Sequence, residues 1–326
     1  MKTMNKKEAM KSYILAANLL PERLWKAAFT LSEEDRVLAE EFRLRSGKPF
    51  SAVISGRQKN ICLGNEPIIT YPEDIENVIA KTTQCSLHSY TDQIKMGFLT
   101  AKGGHRIGLC GKLSYGEKGK NLSDFTSLNI RIAKQFLGIG DRLVPQIAKS
   151  GTFESTLIVS KPGIGKTTLL RDICRILSRQ YRVCIADCRY ELGGTLSGEA
   201  VFELGSCDII QGGHKKEVIE MLLRSMSPEI IALDEITTSE DIDAMVEASY
   251  TGCGFIATAH GEDVEEMVKR PVYRNLLNSG IFNKIILLER IGNQRACRIY
   301  ERSGDNDKIF WSTDDNSFML SDGDNP

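Results

Sequence analysis

Residues 160 to 168 read Ser160-Lys161-Pro162-Gly163-Ile164-Gly165-Lys166-Thr167-Thr168. Those residue types at that spacing suit a loop that wraps a phosphate chain. Gly163 and Gly165 allow the positive φ that turns successive backbone N–H groups toward anionic oxygens. A helix opening at Thr167 adds its dipole and its free amides. Lys166 supplies a cation for the β- and γ-phosphates, and the Thr167 hydroxyl an oxygen for Mg²⁺. The run matches G-x-x-x-x-G-K-[ST] except at the first place, where Ser160 stands for glycine. Because Ser160 is small and ends a strand, the loop is expected to survive the change. In isolation a plain glycine turn would read the same, but an apolar strand precedes it and an amphipathic helix follows.

A second constellation lies downstream. Ile230-Ile231-Ala232-Leu233-Asp234-Glu235 is an apolar strand ending in two carboxylates. Asp234 at the strand tip is placed to hold Mg²⁺ through water, and Glu235 to polarise an attacking water as general base. A solvated strand end would also carry acids. Together with the phosphate loop the pair predicts Mg²⁺-dependent ATP hydrolysis, with one further strand, RVCIAD, between the two motifs. That strand and the Asp-Glu order point to the RecA/AAA-like branch of P-loop proteins, and away from kinases and GTPases.

Other residues could complete the chemistry. Thr258-Ala259-His260 ends the next strand, where His260 can sense the γ-phosphate or the water. Asp187, Arg189 and Glu191 follow RVCIAD and could reach the rim of the site, though ordinary charged loops look alike. Arg106 and Arg131, in an earlier block, are candidate arginine fingers for a neighbouring subunit's phosphates, with Arg43 and Arg45 as alternatives. A surface arginine on a strand is the plainer account of each.

These residues need a frame, and the hydrophobic rhythm predicts two folded blocks. Residues 1–22 are set apart as an N-terminal extension. Residues 23–136 mix helices with glycine-punctuated strands, as an α+β domain with antiparallel strands. There EEFRLRSG alternates Phe42 and Leu44 with Arg43 and Arg45, and a helix after Pro72 places Ile75, Val78 and Ile79 on one face. Residues 137–150 form a linker with a short helix. Residues 151–302 alternate strand and helix, which predicts an α/β domain with a mainly parallel sheet of RecA/AAA-like P-loop type. NKIILLE and ACRIYE close it as a hairpin. The stretch 303–326, with six aspartates, is expected to be a solvated, disordered tail.

Composition narrows the class. Among 326 residues, 41% are hydrophobic and 26% charged, with a formal net charge of −1. That balance suits a globular chain and gives no bulk cationic footprint for nucleic acid. Nine scattered cysteines, none in a C-x-x-C, fit reduced thiols in a cytosol. The N-terminal apolar run is cut by polar residues and Pro21 and lacks the pattern of an export signal. No run approaches the ~20 apolar residues of a membrane span. A cytoplasmic location is expected, with any membrane contact made through partners.

Two longer stretches carry a family resemblance. LLRSMSPEIIALDEI and EDIDAMVEASYTGCGFIATAH resemble the acidic and histidine boxes of type II and type IV secretion ATPases, through Arg224, Pro228, Thr251-Gly252, Thr258 and His260. Those ATPases usually carry glycine where Asp234 stands. EFRLRSGKP, GFLTAKGGHRIGLCGK, SLNIRIAKQFLGI, PGIGKTTLLRDICR and RSMSPEIIALDEI more closely resemble the stage III sporulation protein AA family, over residues 35 to 300. The chain departs from that family's D-E-R-x-E run at Cys188. The resemblance implies a mother-cell ATPase working beneath a membrane-embedded sporulation channel, assembled as a homo-hexamer. The alternative, a nucleic-acid-dependent P-loop ATPase, lacks a single-strand-binding module and is disfavoured by the balanced charge. A secretion ATPase proper is disfavoured by the Asp234-Glu235 pair.

Overall fold

The computed structural model describes residues 6–116, 119–149, 151–193, 195–196, 199–200, 202–291, 294–303, 310–313 and 318–320. They divide into two compact units, one of residues 6–135 with 196 and 199–200, the other of residues 136–195 and 202–320.

The first unit is α+β. Its six-stranded sheet runs Arg57–Asn60, Ser51–Ile54, Ala39–Arg45, Gly119–Arg131, His105–Gly116, Phe98–Ala101, with every neighbour antiparallel. Along Ala39–Arg45 the period of two holds: Phe42 and Leu44 are buried, while Arg43 and Arg45 stay partly exposed. The helix Pro72–Thr83 starts on a proline, whose missing N–H costs nothing at a helix start, and Asp74 accepts the Tyr71 N–H at 2.7 Å. Ile75, Val78 and Ile79 are buried on its inner face.

The stretch set apart as an extension contributes to this core. Tyr13, Ala16, Ala17 and Leu20 are buried in the cluster that holds Phe42 and Phe50. Tyr13 meets Phe42 edge-on with centroids 5.2 Å apart, and its hydroxyl donates to the Ala28 carbonyl at 2.6 Å. The short polar breaks that disqualify Lys6–Ala17 as an export signal are the outer face of an amphipathic helix.

The second unit is α/β. Its sheet runs Asp208–Gln211, Val183–Asp187, Ile230–Leu233, Gly254–His260, Thr156–Ser160, Lys284–Ile291, Gln294–Ser303, Phe310–Thr313, with Phe318–Leu320 also pairing with Gln294–Ser303. The first six strands are parallel and the remainder antiparallel. Val183–Asp187, Ile230–Leu233 and Thr156–Ser160 are buried at every residue, which explains their unbroken apolar runs: helices cover both faces of a parallel sheet. The main covering helices are Lys166–Leu177, Lys215–Met226, Ser239–Ser249 and Pro271–Asn278. Between residues 137 and 150, Ile139, Leu143 and Ile147 are buried, and the Gly140 N–H donates to Asp172 on the helix Lys166–Leu177 at 2.8 Å.

The expected tail is corrected in part. Phe310–Thr313 and Phe318–Leu320 are strands on the edge of this sheet, because their aromatic and branched residues continue the pairing of Gln294–Ser303. The acidic segments 304–309, 314–317 and 321–326 lie outside the described residues.

Candidate functional site

A parallel sheet brings the carboxyl ends of its strands to one edge, whatever their order in the chain. Ser160, Asp234 and His260 stand at three such ends, on the adjacent strands Thr156–Ser160, Ile230–Leu233 and Gly254–His260. That adjacency builds the site.

From Ser160 the chain turns through Gly163 (φ +78) and Gly165 (φ +114) into the helix Lys166–Leu177. No side chain caps the helix start, so its first N–H groups remain available for anionic oxygens. Lys166 is folded back, with Nζ 3.2 Å from the Ser160 carbonyl and 2.9 Å from His260 Nδ1. Burial lowers its pKa to about 8. Ser160 does more than stay small: its hydroxyl donates to the Lys161 carbonyl at 2.8 Å and its oxygen lies 3.4 Å from Lys166 Nζ. Lys161 itself pairs with Glu262.

Asp234 is 5% exposed. It accepts the Thr258 hydroxyl at 2.7 Å, and the Thr167 hydroxyl lies 3.4 and 3.5 Å from its two oxygens. Burial raises its pKa, against the hydrogen bond from Thr258. Glu235 sits in the left-handed region at φ +49, a conformation costing a non-glycine residue about 1 kcal/mol or more. Three bonds hold it there. Its N–H donates to Thr258 Oγ1 at 2.8 Å, its carbonyl accepts Lys215 Nζ at 2.6 Å, and the next N–H, of Ile236, donates to the Thr258 carbonyl at 2.9 Å. The Glu235 carboxylate pairs with Arg189 and lies 3.2 Å from His260 Nε2.

His260 therefore bridges the two motifs. Its Nδ1 accepts from the Lys166 ammonium, which assigns the ring proton to Nε2, facing Glu235. Burial first and the Lys166 charge second lower its pKa, so it stays neutral near pH 7 and donates without carrying charge.

The loop after Val183–Asp187 separates into different roles. Asp187 is fully buried and accepts the N–H groups of Glu191, Leu192 and Gly193 at 2.7, 3.0 and 2.8 Å. It shapes the loop and is no rim residue. Arg189 is the residue that reaches Glu235. Arg171, Lys215 and the bonding of Thr258 escaped the sequence reading. Arg171 donates to the Glu191 carbonyl at 2.9 Å and stacks 3.8 Å over the Phe202 ring. Its place at the fifth position after Lys166 on the polar side of an amphipathic helix was the available signal.

Arg106 and Arg131 belong to the first unit, where they face each other on adjacent strands. Arg106 stacks 3.9 Å over Phe98, and Arg131 lies 3.4 Å from Glu41. Arg43 also pairs with Glu41, at 2.9 Å.

The donor set fits Mg²⁺. Thr167 and Asp234 offer hard oxygens side by side, and among the described residues no group of three or more His, Cys, Asp or Glu could form a metal cage. Mg²⁺ characteristically takes one or two protein oxygens and fills the rest with water and phosphate.

Comparisons with known proteins bear on the family and the fold. The family described as "Sporulation stage III, protein AA" matches residues 5–306. Stage III sporulation protein AA of Bacillus subtilis (strain 168) is 33% identical over 297 residues, covering 88% of this chain and 95% of that protein. The pilus retraction motor PilT, solved with bound ADP, shares the fold with a TM-score of 0.55 at 17% identity, over 82% of this chain and 80% of its own. The ATPase DotB of Legionella pneumophila shares it with a TM-score of 0.50 at 17% identity, over 77% and 72%. These likenesses show the fold, which the chain shares with PilT and DotB. By family match and by identity along nearly its whole length, the chain belongs to the stage III sporulation protein AA family.

Proposed function

We propose that the protein hydrolyses ATP to ADP and phosphate at this site, with Mg²⁺, and that the hydrolysis drives a membrane-associated apparatus during sporulation. The observation that carries the reading is the Thr258 hydroxyl, which ties the Asp234 carboxylate to the Glu235 backbone beside Thr167, Lys166 and His260. In this reading Lys166 leaves the Ser160 carbonyl for the β- and γ-phosphates, and the N–H groups of residues 163–168 take the remaining oxygens. Thr167 and Asp234 would hold Mg²⁺, which neutralises phosphate charge when bound. Glu235, once released from Arg189, accepts a proton from the attacking water, while the His260 Nε2–H fixes the carboxylate or the water.

The wider setting rests on kinship. The family name and the secretion-type fold support a homo-hexamer docked on channel proteins at the mother-cell side of the membrane, with Arg106 and Arg131 as fingers for a neighbouring site. No helix among the described residues is long and apolar enough to cross a membrane, which fits docking through partners. Phosphate release by the purified chain with ATP and Mg²⁺ tests the chemistry. Lys166→Ala should abolish it, and Glu235→Gln should keep ATP binding while losing turnover about a hundredfold or more. Full activity in both variants sinks the assignment. Stimulation by single-stranded DNA or RNA would move the setting to a nucleic-acid-dependent ATPase.

A further inference from the structure

The strand Thr156–Ser160 divides the sheet of the second unit. On one side lie Gly254–His260 and Ile230–Leu233, whose ends supply His260, Asp234 and Glu235. On the other lie Lys284–Ile291 and then Gln294–Ser303. The groups that a chain supplies to hydrolysis at its own site come from the loop or from the first side. A cation reaches the loop from the second.

Arg295 lays its guanidinium against Gly165. A Cβ built on that glycine would stand 3.4 Å from Cζ, 3.6 Å from Nη2 and 3.7 Å from Nε. Nearly equal distances mean that the flat face, not one edge, meets the loop. The Phe136 ring lies by the same guanidinium, with Cζ 5.3 Å from its centroid. Both partners belong to the same unit.

We infer that a polyphosphate held on this loop with its γ-phosphate at Glu235 runs toward the other side of Thr156–Ser160, and that Arg295, beside Phe136, is a nucleotide-binding residue supplied by the same chain that takes the α-phosphate end of a nucleoside di- or triphosphate. The inference rests on the proposed nucleotide site and adds a contact remote from the reacting phosphate. Such a contact is made equally before and during reaction, so it sets affinity and leaves the chemical step alone. A finger at the γ-phosphate would do the opposite.

Fluorescent (mant-labelled) ADP and ATP titrated into the full chain with Mg²⁺ separate the cases, together with phosphate release at saturating ATP. Arg295→Ala should weaken both nucleotides by the same factor, roughly tenfold for a charged contact, with kcat within about twofold of wild type. Arg295→Lys should recover part of the loss, since it keeps the charge without the flat face. Phe136→Leu should weaken both nucleotides about threefold through the lost ring. If Arg295→Ala lowers the thermal midpoint by several degrees, the lysine and leucine variants decide. Unchanged affinity for ADP and ATP in these variants overturns the inference while the wild type's own binding upholds the site. A fall in kcat with ADP affinity intact also overturns it. A wild-type chain that binds neither nucleotide overturns both.

Discussion

Arginines in the two units meet very different surroundings. In the first unit, Arg106 and Arg131 lie face to face within an antiparallel sheet, and local groups occupy them: the Phe98 ring for one and the Glu41 carboxylate for the other. In the second, Arg189, Arg171 and Arg295 converge from three separate stretches on a single strand-edge site. The contrast follows from strand direction. Antiparallel strands end alternately at opposite edges, so their polar residues spread over a face and are answered by cross-strand neighbours. Parallel strands all end at one edge, so residues distant in sequence collect there. A charge in the second unit can therefore act on its own site. One in the first needs something brought to it.

The strongest break of that comparison would come from assembly. If Arg106 and Arg131 act on a neighbouring protomer, their double alanine variant should lose about a hundredfold or more of the assembled activity while a dilute monomer loses nothing. Mixing it with Glu235→Gln should restore some turnover, because mixed rings contain interfaces that pair an intact base with intact arginines. Specific activity that does not change with protein concentration, together with no rescue on mixing, confines the arginines to their own sheet.

A smaller effect tests the tightness of the second unit's site. Thr258→Val removes the hydroxyl bonded to both Asp234 and the Glu235 N–H. Leaving two buried groups unsatisfied should lower stability by about 2 kcal/mol, read as the urea unfolding midpoint. Turnover should fall by about tenfold or more as Glu235 loses its left-handed anchor, while first-unit variants leave ADP binding untouched. An unchanged midpoint and turnover in the Thr258→Val chain would show the Glu235 geometry held elsewhere.

The pH dependence has a defined sign. Burial lowers the Lys166 pKa to about 8 in the free protein, and a bound phosphate raises it. Affinity should therefore be level below about pH 8 and fall about tenfold for each pH unit above it, until the bound-state pKa is reached. Lys166→Arg should flatten the profile if it binds at all. Mant-ATP titrations between about pH 7 and pH 9.5 make the check, and a flat wild-type profile contradicts the folded-back lysine. The smallest effect expected is at Ser160. Ser160→Gly should change ATP affinity by less than tenfold, about 1.4 kcal/mol, since its carbonyl, not its hydroxyl, makes the shorter contact with Lys166.

Much of this was already written in the chain. Gly163 and Gly165 take the positive φ that a phosphate loop requires, and the unbroken apolar runs at 157–159, 183–186 and 230–233 became fully buried stretches of parallel strand. Those features are local: backbone freedom and burial pattern depend on a residue and its near neighbours. The order of elements also carried the fold class, since strands alternating with helices have few ways to cover a parallel sheet. What the chain order did not reveal is which side chains meet. Asp187, outwardly one more loop acid, is buried beneath three N–H groups. Arg189 reaches Glu235 because Val183–Asp187 and Ile230–Leu233 are neighbours in the sheet. Arg295 comes back to Gly165 across 130 positions because the closing hairpin folds beside Thr156–Ser160. The helix Lys6–Ala17, weakly amphipathic on its own, gains its place only from the aromatic core it covers. Partnership is decided by strand order and packing, and those are properties of the whole folded chain.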